Sequence, residues 1–181
     1  MRRVLELIAA AVLVAMLVAG CADDSPDRGA TAGTSAPANN DDVAAIGDPA
    51  PDVTFERFDG TQGALADYRG MPLVLNFWAS WCVPCITEMP EFEAVHRRLG
   101  DEVAFLGLNV QDTAEDGRAF ADDSGVTWDL GRDPDGTILQ RLGGAGMPTT
   151  VLIDAEGTIR HVETGDLSGD ELESLIDEKL R

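Results

Sequence analysis

Two cysteines separated by two residues are the side chains of this chain most able to carry out chemistry. Cys82 and Cys85 lie in the stretch FWASWCVPCITEMP at residues 77–90. Such a pair can be a structural disulfide, half of a metal site, or a redox pair that opens and closes. Zinc needs four ligands, and the chain offers only this pair and two distant histidines, His96 and His161. A static disulfide is also disfavoured, because so short a ring stabilises a fold little.

The elements around the pair predict that it lies where a strand becomes a helix. Leu73 to Trp78 reads LVLNFW, an apolar run typical of a buried central strand. An amphipathic helix is predicted from near Cys82 to Gly100, and Pro90 inside it is expected to cause a kink. The apolar residues that recur at spacings of three and four are Ile86, Met89, Phe92, Val95 and Leu99.

A position at the start of a helix gives a cysteine a specific chemistry. The unpaired amides and partial positive charge of a helix N-terminus favour a thiolate over a thiol. The thiolate is the nucleophile of disulfide exchange, so the first cysteine can attack a disulfide of a partner. The second cysteine lies close enough to close the ring and release that partner.

The rest of the chain predicts one α/β domain. A right-handed parallel crossover and a final antiparallel hairpin give a central mixed sheet with helices on both faces. The further predicted elements are a hairpin opened by Val53 to Phe58 and turning at Asp59-Gly60, a strand at 103–110, a helix at 113–124, a turn at 133–136 with a short helix after it, a hairpin of 149–153 and 158–162, and a last helix capped by Ser168 and Glu171.

Length and charge limit the partners of this domain. The chain has 181 residues, and the part from Cys21 onward carries 11 basic and 32 acidic residues, a net charge of −21. Nucleic acid and anionic lipid headgroups are therefore poor partners, because phosphate binding needs clustered Lys and Arg.

The N-terminus reads as an export signal followed by an anchor and a tether. Residues 1–20 have a basic start and a short apolar core, and they end in VAGC, which resembles the bacterial lipobox. That motif implies lipidation of Cys21, which leaves Cys82 and Cys85 to pair with each other. Residues 21–50 are small, polar and rich in Gly and Pro, so a flexible linker is predicted there and the folded domain at 51–181.

Two motifs carry a resemblance to a known family. The segment FWASWCVPC before a helix and the segment GMPTT before the last hairpin are similar to those of the thioredoxin superfamily. The resemblance is greatest to its membrane-tethered thiol-disulfide oxidoreductases of the TlpA/ResA type, and it covers residues 46–181. It implies a thioredoxin-like fold in which the opening hairpin is an N-terminal β-hairpin addition.

The resemblance implies catalytic roles for four residues. Cys82 is expected to be the exposed attacking thiolate and Cys85 the buried resolving thiol. Glu88 is expected to assist proton movement near the cysteines, and Pro148 to be a cis-proline that faces the active site. Asn76 departs from thioredoxin, which has a buried acid there. An amide cannot take a proton from the resolving thiol, so Glu88 or water must do so.

The same resemblance implies a substrate-binding surface of Trp81, Val83, Pro84 and Met147. Met147 is expected to offer backbone groups to an incoming peptide in strand-like pairing, and Trp81 to shape the partner surface. The implied partners are exported cysteine-containing proteins, such as apocytochrome c, and a membrane electron donor of the CcdA or DsbD type. No cofactor is expected besides the chain's own cysteines.

Several functions remain open at this point. A reductant is favoured by the resemblance, but related exported proteins act as oxidants. A metallochaperone or adaptor that uses the fold without turnover is a second possibility. A peroxidase is a third, although Leu75 and Ala79 stand where peroxiredoxins carry Pro and Thr before the reactive cysteine.

Overall fold

A computed structural model describes residues 43–181 of the chain. Its elements follow the predicted order, with one additional strand and a short 3₁₀ helix. The strands are β1 (Thr54–Arg57), β2 (Gln62–Ala64), β3 (Leu73–Trp78), β4 (Ala104–Val110), β5 (Asp129–Asp133), β6 (Thr149–Ile153) and β7 (Ile159–Thr164); the helices are the 3₁₀ helix (Leu65–Tyr68), α1 (Val83–Leu99), α2 (Ala114–Ser124), α3 (Thr137–Arg141) and α4 (Gly169–Lys179).

The strands form a single mixed sheet, as predicted. Its order is β2-β1-β5-β4-β3-β6-β7. The central strand β3 pairs in parallel with β4 and antiparallel with β6, so the two motifs predicted to form the site lie on neighbouring strands. The predicted opening hairpin, β1 with β2, joins the sheet antiparallel to β5, and the predicted final hairpin adds β7 to β6.

Two apolar clusters lie on opposite faces of the sheet, with helices on each. Val74 and Trp78 of β3 point into one cluster, to which α1, α2 and α4 contribute side chains. The alternate residues Leu73, Leu75 and Phe77 point into the other cluster, together with residues of α3 and the 3₁₀ helix. The prediction of helices on both faces is therefore confirmed.

Trp78 anchors the C-terminal end of β3, just before the segment that leads to the two cysteines. Its ring lies against those of Phe58 and Phe120, with centroids 6.2 and 5.3 Å apart. Gly107 on β4 provides the necessary space, because a Cβ atom there would lie 2.8 Å from Trp78 Nε1. The segment after Trp78 therefore starts from a rigidly packed point.

The folded part begins earlier than the predicted boundary at residue 51. The backbone N–H of Ala44 donates to the carbonyl of Arg141 at 2.9 Å, and that of Gly47 donates to the carbonyl of Ile159 at 2.8 Å. Pro49 forms a bridge with Thr158. This segment is composed like a linker but is held through its backbone, which the composition did not reveal.

The predicted signal, Cys21 and most of the predicted linker lie outside the described residues. Within residues 43–181, every helix is too short or too polar to cross a membrane.

Candidate active site

Cys82 and Cys85 form a disulfide at the start of α1, as predicted. Cys82 occupies the N-cap position, and Pro84 lies in the first turn. Proline fits there because the first amides of a helix have no intrahelical acceptor. The backbone N–H of Cys82 donates to the carbonyl of Ala79 at 3.1 Å, which closes the turn between β3 and α1.

Cys82 is less accessible than expected. It is 4% exposed, so in the disulfide state it is buried, although Cys85 is more completely buried still. Both cysteines belong to the apolar cluster on the α1 face, which also contains Ala79 and Met89. Cys85 is the more deeply buried of the two cysteines, as the resemblance implies. The expectation of an exposed Cys82 is wrong for the disulfide state.

Exposed apolar side chains surround the disulfide. Trp81 is 56% exposed, Val83 73% and Ile86 48%, and Pro84 is exposed beside them. The helical spacing placed Ile86 on the buried stripe, but the structure turns it outward, one turn after Cys82. Apolar surface of this kind is typical of a docking site for another protein.

The Met147–Pro148 peptide bond is cis, as the resemblance implied. Pro148 is buried, and the half-buried Met147 packs against the cluster that contains both cysteines. Met147 and Trp81 line one open groove of about 330 Å³, together with Gln111, Gln140, Gly146 and residues next to them. The groove thus brings together two of the four predicted substrate-binding residues, while Val83 and Pro84 do not line it.

Glu88 lies one helical turn after Cys85 and is only 2% exposed. On the sheet face that carries the cysteine cluster, Asn76 and Thr150 are paired across β3 and β6, and Asn76 Nδ2 donates to Thr150 Oγ1 at 3.4 Å. Among residues 43–181, no group meets both the distance and the angle of a hydrogen bond to either side-chain oxygen of Glu88. Glu88 is therefore a buried carboxyl group in a site with little polar compensation.

Burial raises the pKa of Glu88 to about 8, and the negative charge of Asp166 adds to the rise. The Leu167 backbone and the Asn76 and Thr150 side chains lower that pKa, but by less than burial raises it. A carboxyl group with such a pKa can take up or release a proton close to neutral pH. The implied role of Glu88 in proton movement is thus chemically reasonable.

The residues described offer little support for a metal site. Between Val43 and Arg181, no group of three or more His, Cys, Asp and Glu side chains is arranged to hold an ion.

Comparison with known proteins agrees with the redox-active cysteine pair that the geometry indicates. A family model described as the AhpC/TSA family matches residues 46–162. The thiol-disulfide oxidoreductase ResA of Geobacillus thermodenitrificans is 32% identical over 138 residues, which cover 75% of this chain and 78% of the relative.

Two solved structures share the fold. The DsbF homologue of Corynebacterium diphtheriae has a TM-score of 0.67 and 30% identity, with 72% of this chain and 85% of that chain covered. A secreted Mycobacterium tuberculosis disulfide oxidoreductase, homologous to DsbE of E. coli, has a TM-score of 0.64 and 26% identity, with 70% and 95% covered. By its matched family model the chain belongs to the AhpC/TSA family. Its relatives and the disulfide at the start of α1 identify it as a thioredoxin-fold thiol-disulfide oxidoreductase of the TlpA/ResA type.

Proposed function

We propose that this protein is a lipid-anchored, extracytoplasmic reductase that transfers electrons from the Cys82/Cys85 dithiol to disulfides of exported proteins. The observation that carries the direction of transfer is the composition of α1 around the cysteines. Glu88 is buried one turn after Cys85, and the first basic side chain of the helix is His96, near its other end.

The exchange has two steps that balance in atoms and electrons. The Cys82 thiolate attacks one sulfur of the partner disulfide, forming a mixed disulfide and releasing the other partner sulfur as a thiolate, which takes up a proton. Cys85 then loses its proton and attacks the Cys82 sulfur, which forms the intramolecular disulfide and frees the second partner thiol. The partner gains two electrons, and the protein loses two.

Glu88 is the group in this site suited to take the Cys85 proton. With a pKa near 8, only a minor fraction of Glu88 is ionised at neutral pH, but that carboxylate is a stronger base than an ordinary glutamate and can accept the proton. Asn76 cannot replace it, because an amide has no basic site of comparable strength.

The charges around the pair support a low reduction potential. Strong oxidants of this fold stabilise their reduced form by holding the first cysteine as a thiolate of low pKa. Here the helix N-terminus favours the thiolate, but residues 83–95 contain no Lys, Arg or His whose positive charge would stabilise it further. The reduced form is then only moderately stabilised, so it gives up electrons readily.

The surface around the disulfide supports protein substrates. Trp81, Val83 and Ile86 offer exposed apolar area, and the groove beside Met147 can receive an extended segment. The substrates that we propose are exported proteins with cysteines that must be kept reduced, such as apocytochrome c. A membrane dithiol protein of the CcdA or DsbD type would then reduce the disulfide again.

The proposed location rests on the sequence and on the location of a relative. Residues 1–20 and Cys21 have the pattern of a lipoprotein signal, and one solved relative is described as secreted. Residues 22–42 would act as the tether between the anchor and the domain.

The reduction potential of the Cys82/Cys85 couple tests the direction. The protein is equilibrated in dithiothreitol redox buffers and its thiols are trapped by alkylation. We expect the couple to titrate at about −270 mV. A value near about −120 mV would instead make it an oxidant. The Cys82→Ser, Cys85→Ser double variant supplies the baseline, and a wild type that gave the same flat baseline would contradict exchange altogether.

A further inference from the structure

The loop that leads into Cys82 is held by the loop that follows β4. The backbone N–H of Ser80 donates to Asp112 Oδ2 at 2.7 Å. The indole Nε1–H of Trp81 donates to the carbonyl of Gln111 at 3.2 Å. Two consecutive residues before the nucleophile are therefore attached to two consecutive residues that are about 30 positions away in sequence.

The Asp112 carboxylate accepts hydrogen bonds from three different residues. Besides Ser80, Asn109 Nδ2 donates to Oδ2 at 3.0 Å, and the backbone N–H of Thr113 donates to Oδ1 at 2.9 Å. Partial burial raises the pKa of Asp112, but the hydrogen bonds from Asn109, Ser80 and Thr113 outweigh it, so the pKa lies below its usual value. Asp112 is thus ionised at neutral pH, when its bond to Ser80 is strongest.

The other side of the same loop is fixed to the end of β5. The backbone N–H of Gln111 donates to the carbonyl of Asp133 at 3.2 Å, and Arg132 donates to the carbonyl of Asp112 at 3.5 Å. Gln111 has a φ of +49°, which is uncommon for a residue other than glycine. Such a conformation persists only where its surroundings hold it, so this loop is a firm support.

We propose that Asp112 is a positioning residue for disulfide exchange, whose carboxylate fixes Ser80 and thereby holds Trp81 and Cys82 in place at the start of α1. The proposal depends on exchange at Cys82 and is independent of the direction of electron transfer. Its physical basis is that a nucleophile loses reactivity when the segment that aligns it moves, and a displacement of about 1 Å can lower a rate by about a hundredfold.

A role in positioning and a role through charge predict opposite results. The negative charge of Asp112, acting directly on a nearby thiolate, would raise the pKa of Cys82, so its removal would make Cys82 more reactive. Loss of the bond to Ser80 would instead loosen Cys82 from the helix N-terminus and make it less reactive. The sign of the change therefore distinguishes the two.

The variant Asp112→Ala applies this test because it removes both acceptor oxygens, so the bond to Ser80 cannot be kept. In the reduced variant we expect Cys82 to be alkylated about tenfold more slowly at neutral pH, with kcat/KM for a protein disulfide lowered by a similar factor. Unchanged or faster alkylation would overturn the proposal.

Asp116→Ala is the matched control. It removes the same charge four residues along the chain, where Asp116 accepts a hydrogen bond from Thr113 Oγ1 at 2.8 Å in the first turn of α2. Cys82 reactivity should stay within about twofold of wild type, since Asp116 is not bonded to Ser80 or Trp81. An equal loss in both variants would contradict a specific role for Asp112.

A measurement on the wild type applies even if the Asp112 variant fails to fold. The amide resonance of Ser80 should shift as pH falls through the Asp112 pKa, in step with the Asp112 carboxyl carbon. An amide of Ser80 that does not follow that titration would overturn the proposal. These NMR and alkylation readouts do not use the reduction potential, so a wrong direction of electron transfer and a wrong role for Asp112 give separate results.

Discussion

Replacing Cys85 with serine is expected to leave partner proteins joined to Cys82 as stable mixed disulfides. Cys85 is buried beside Cys82 at the start of α1, so under the proposed mechanism it resolves the captured partner at once in the wild type. A serine hydroxyl cannot displace a thiol from a disulfide, so the partner stays bound until an external thiol reaches it. Turnover with a protein disulfide should fall by about a thousandfold or more, because the two cysteines act as a unit.

Mass spectrometry of proteins captured from the extracytoplasmic fraction, separated without reductant, checks this result. Cys82→Ser is the matched control, because it removes one sulfur from the same ring but leaves only the more deeply buried cysteine. Adducts should appear with Cys85→Ser and be absent with Cys82→Ser. Equal amounts in both variants, or none in either, would contradict the assigned roles.

Replacing Glu88 with glutamine is expected to slow turnover by about a hundredfold, a typical contribution of one general base. Glutamine keeps the shape of the side chain but cannot accept the Cys85 proton. The loss should therefore fall on the resolving step, so that mixed disulfides live longer while their formation is nearly unchanged. Stopped-flow fluorescence of the two steps checks this, and a variant that resolves as fast as wild type would remove Glu88 from the mechanism.

The same substitution should stabilise the protein at high pH. The pKa of Glu88 rises from an ordinary 4.5 to about 8 on folding, so folding favours its protonated form. The stability that Glu88 contributes is therefore fully present below about pH 4.5 and is lost as the pH rises from there through about 8. Between about pH 5 and pH 9, the free energy of unfolding of Glu88→Gln should gain about 4 kcal/mol relative to wild type.

Urea unfolding of the oxidised proteins at both pH values measures this gain. The control is Glu115→Gln on α2, which removes an equivalent charge from an exposed side chain. It should keep the pH dependence of the wild type. A Glu88→Gln variant with that same dependence would show that the carboxyl group titrates normally. A gain in stability with a loss of turnover would mark Glu88 as a residue kept for function.

Local signals explain why much of the site could be predicted from the sequence. The run LVLNFW identifies a buried strand by its apolar residues alone, and a Cys-x-x-Cys motif after it identifies the start of a helix. The capping box of Ser168 and Glu171 likewise marks the start of α4, where the structure shows it. Each of these features depends on residues within one or two turns of each other.

The features that were missed depend on distant partners. β5 reads DLGRD and has no apolar run, so it becomes a strand only because β4 and β1 lie on either side of it. Asp112 is 32 residues from the amide of Ser80 that it binds, so only the folded sheet brings the two loops together. The exposure of Ile86 and the burial of Cys82 depend in the same way on how α1 packs beside its neighbours.

The reactivity of Cys82 in the reduced protein tests the central claim most directly. The helix N-terminus should hold part of this sulfur as a thiolate at neutral pH, so we expect iodoacetamide to modify it about tenfold faster than free cysteine. Peptide mapping should place the modification on Cys82 and leave Cys85 unmodified over the same time. Modification of Cys82 no faster than that of free cysteine would contradict the claim that the start of α1 activates it for disulfide exchange.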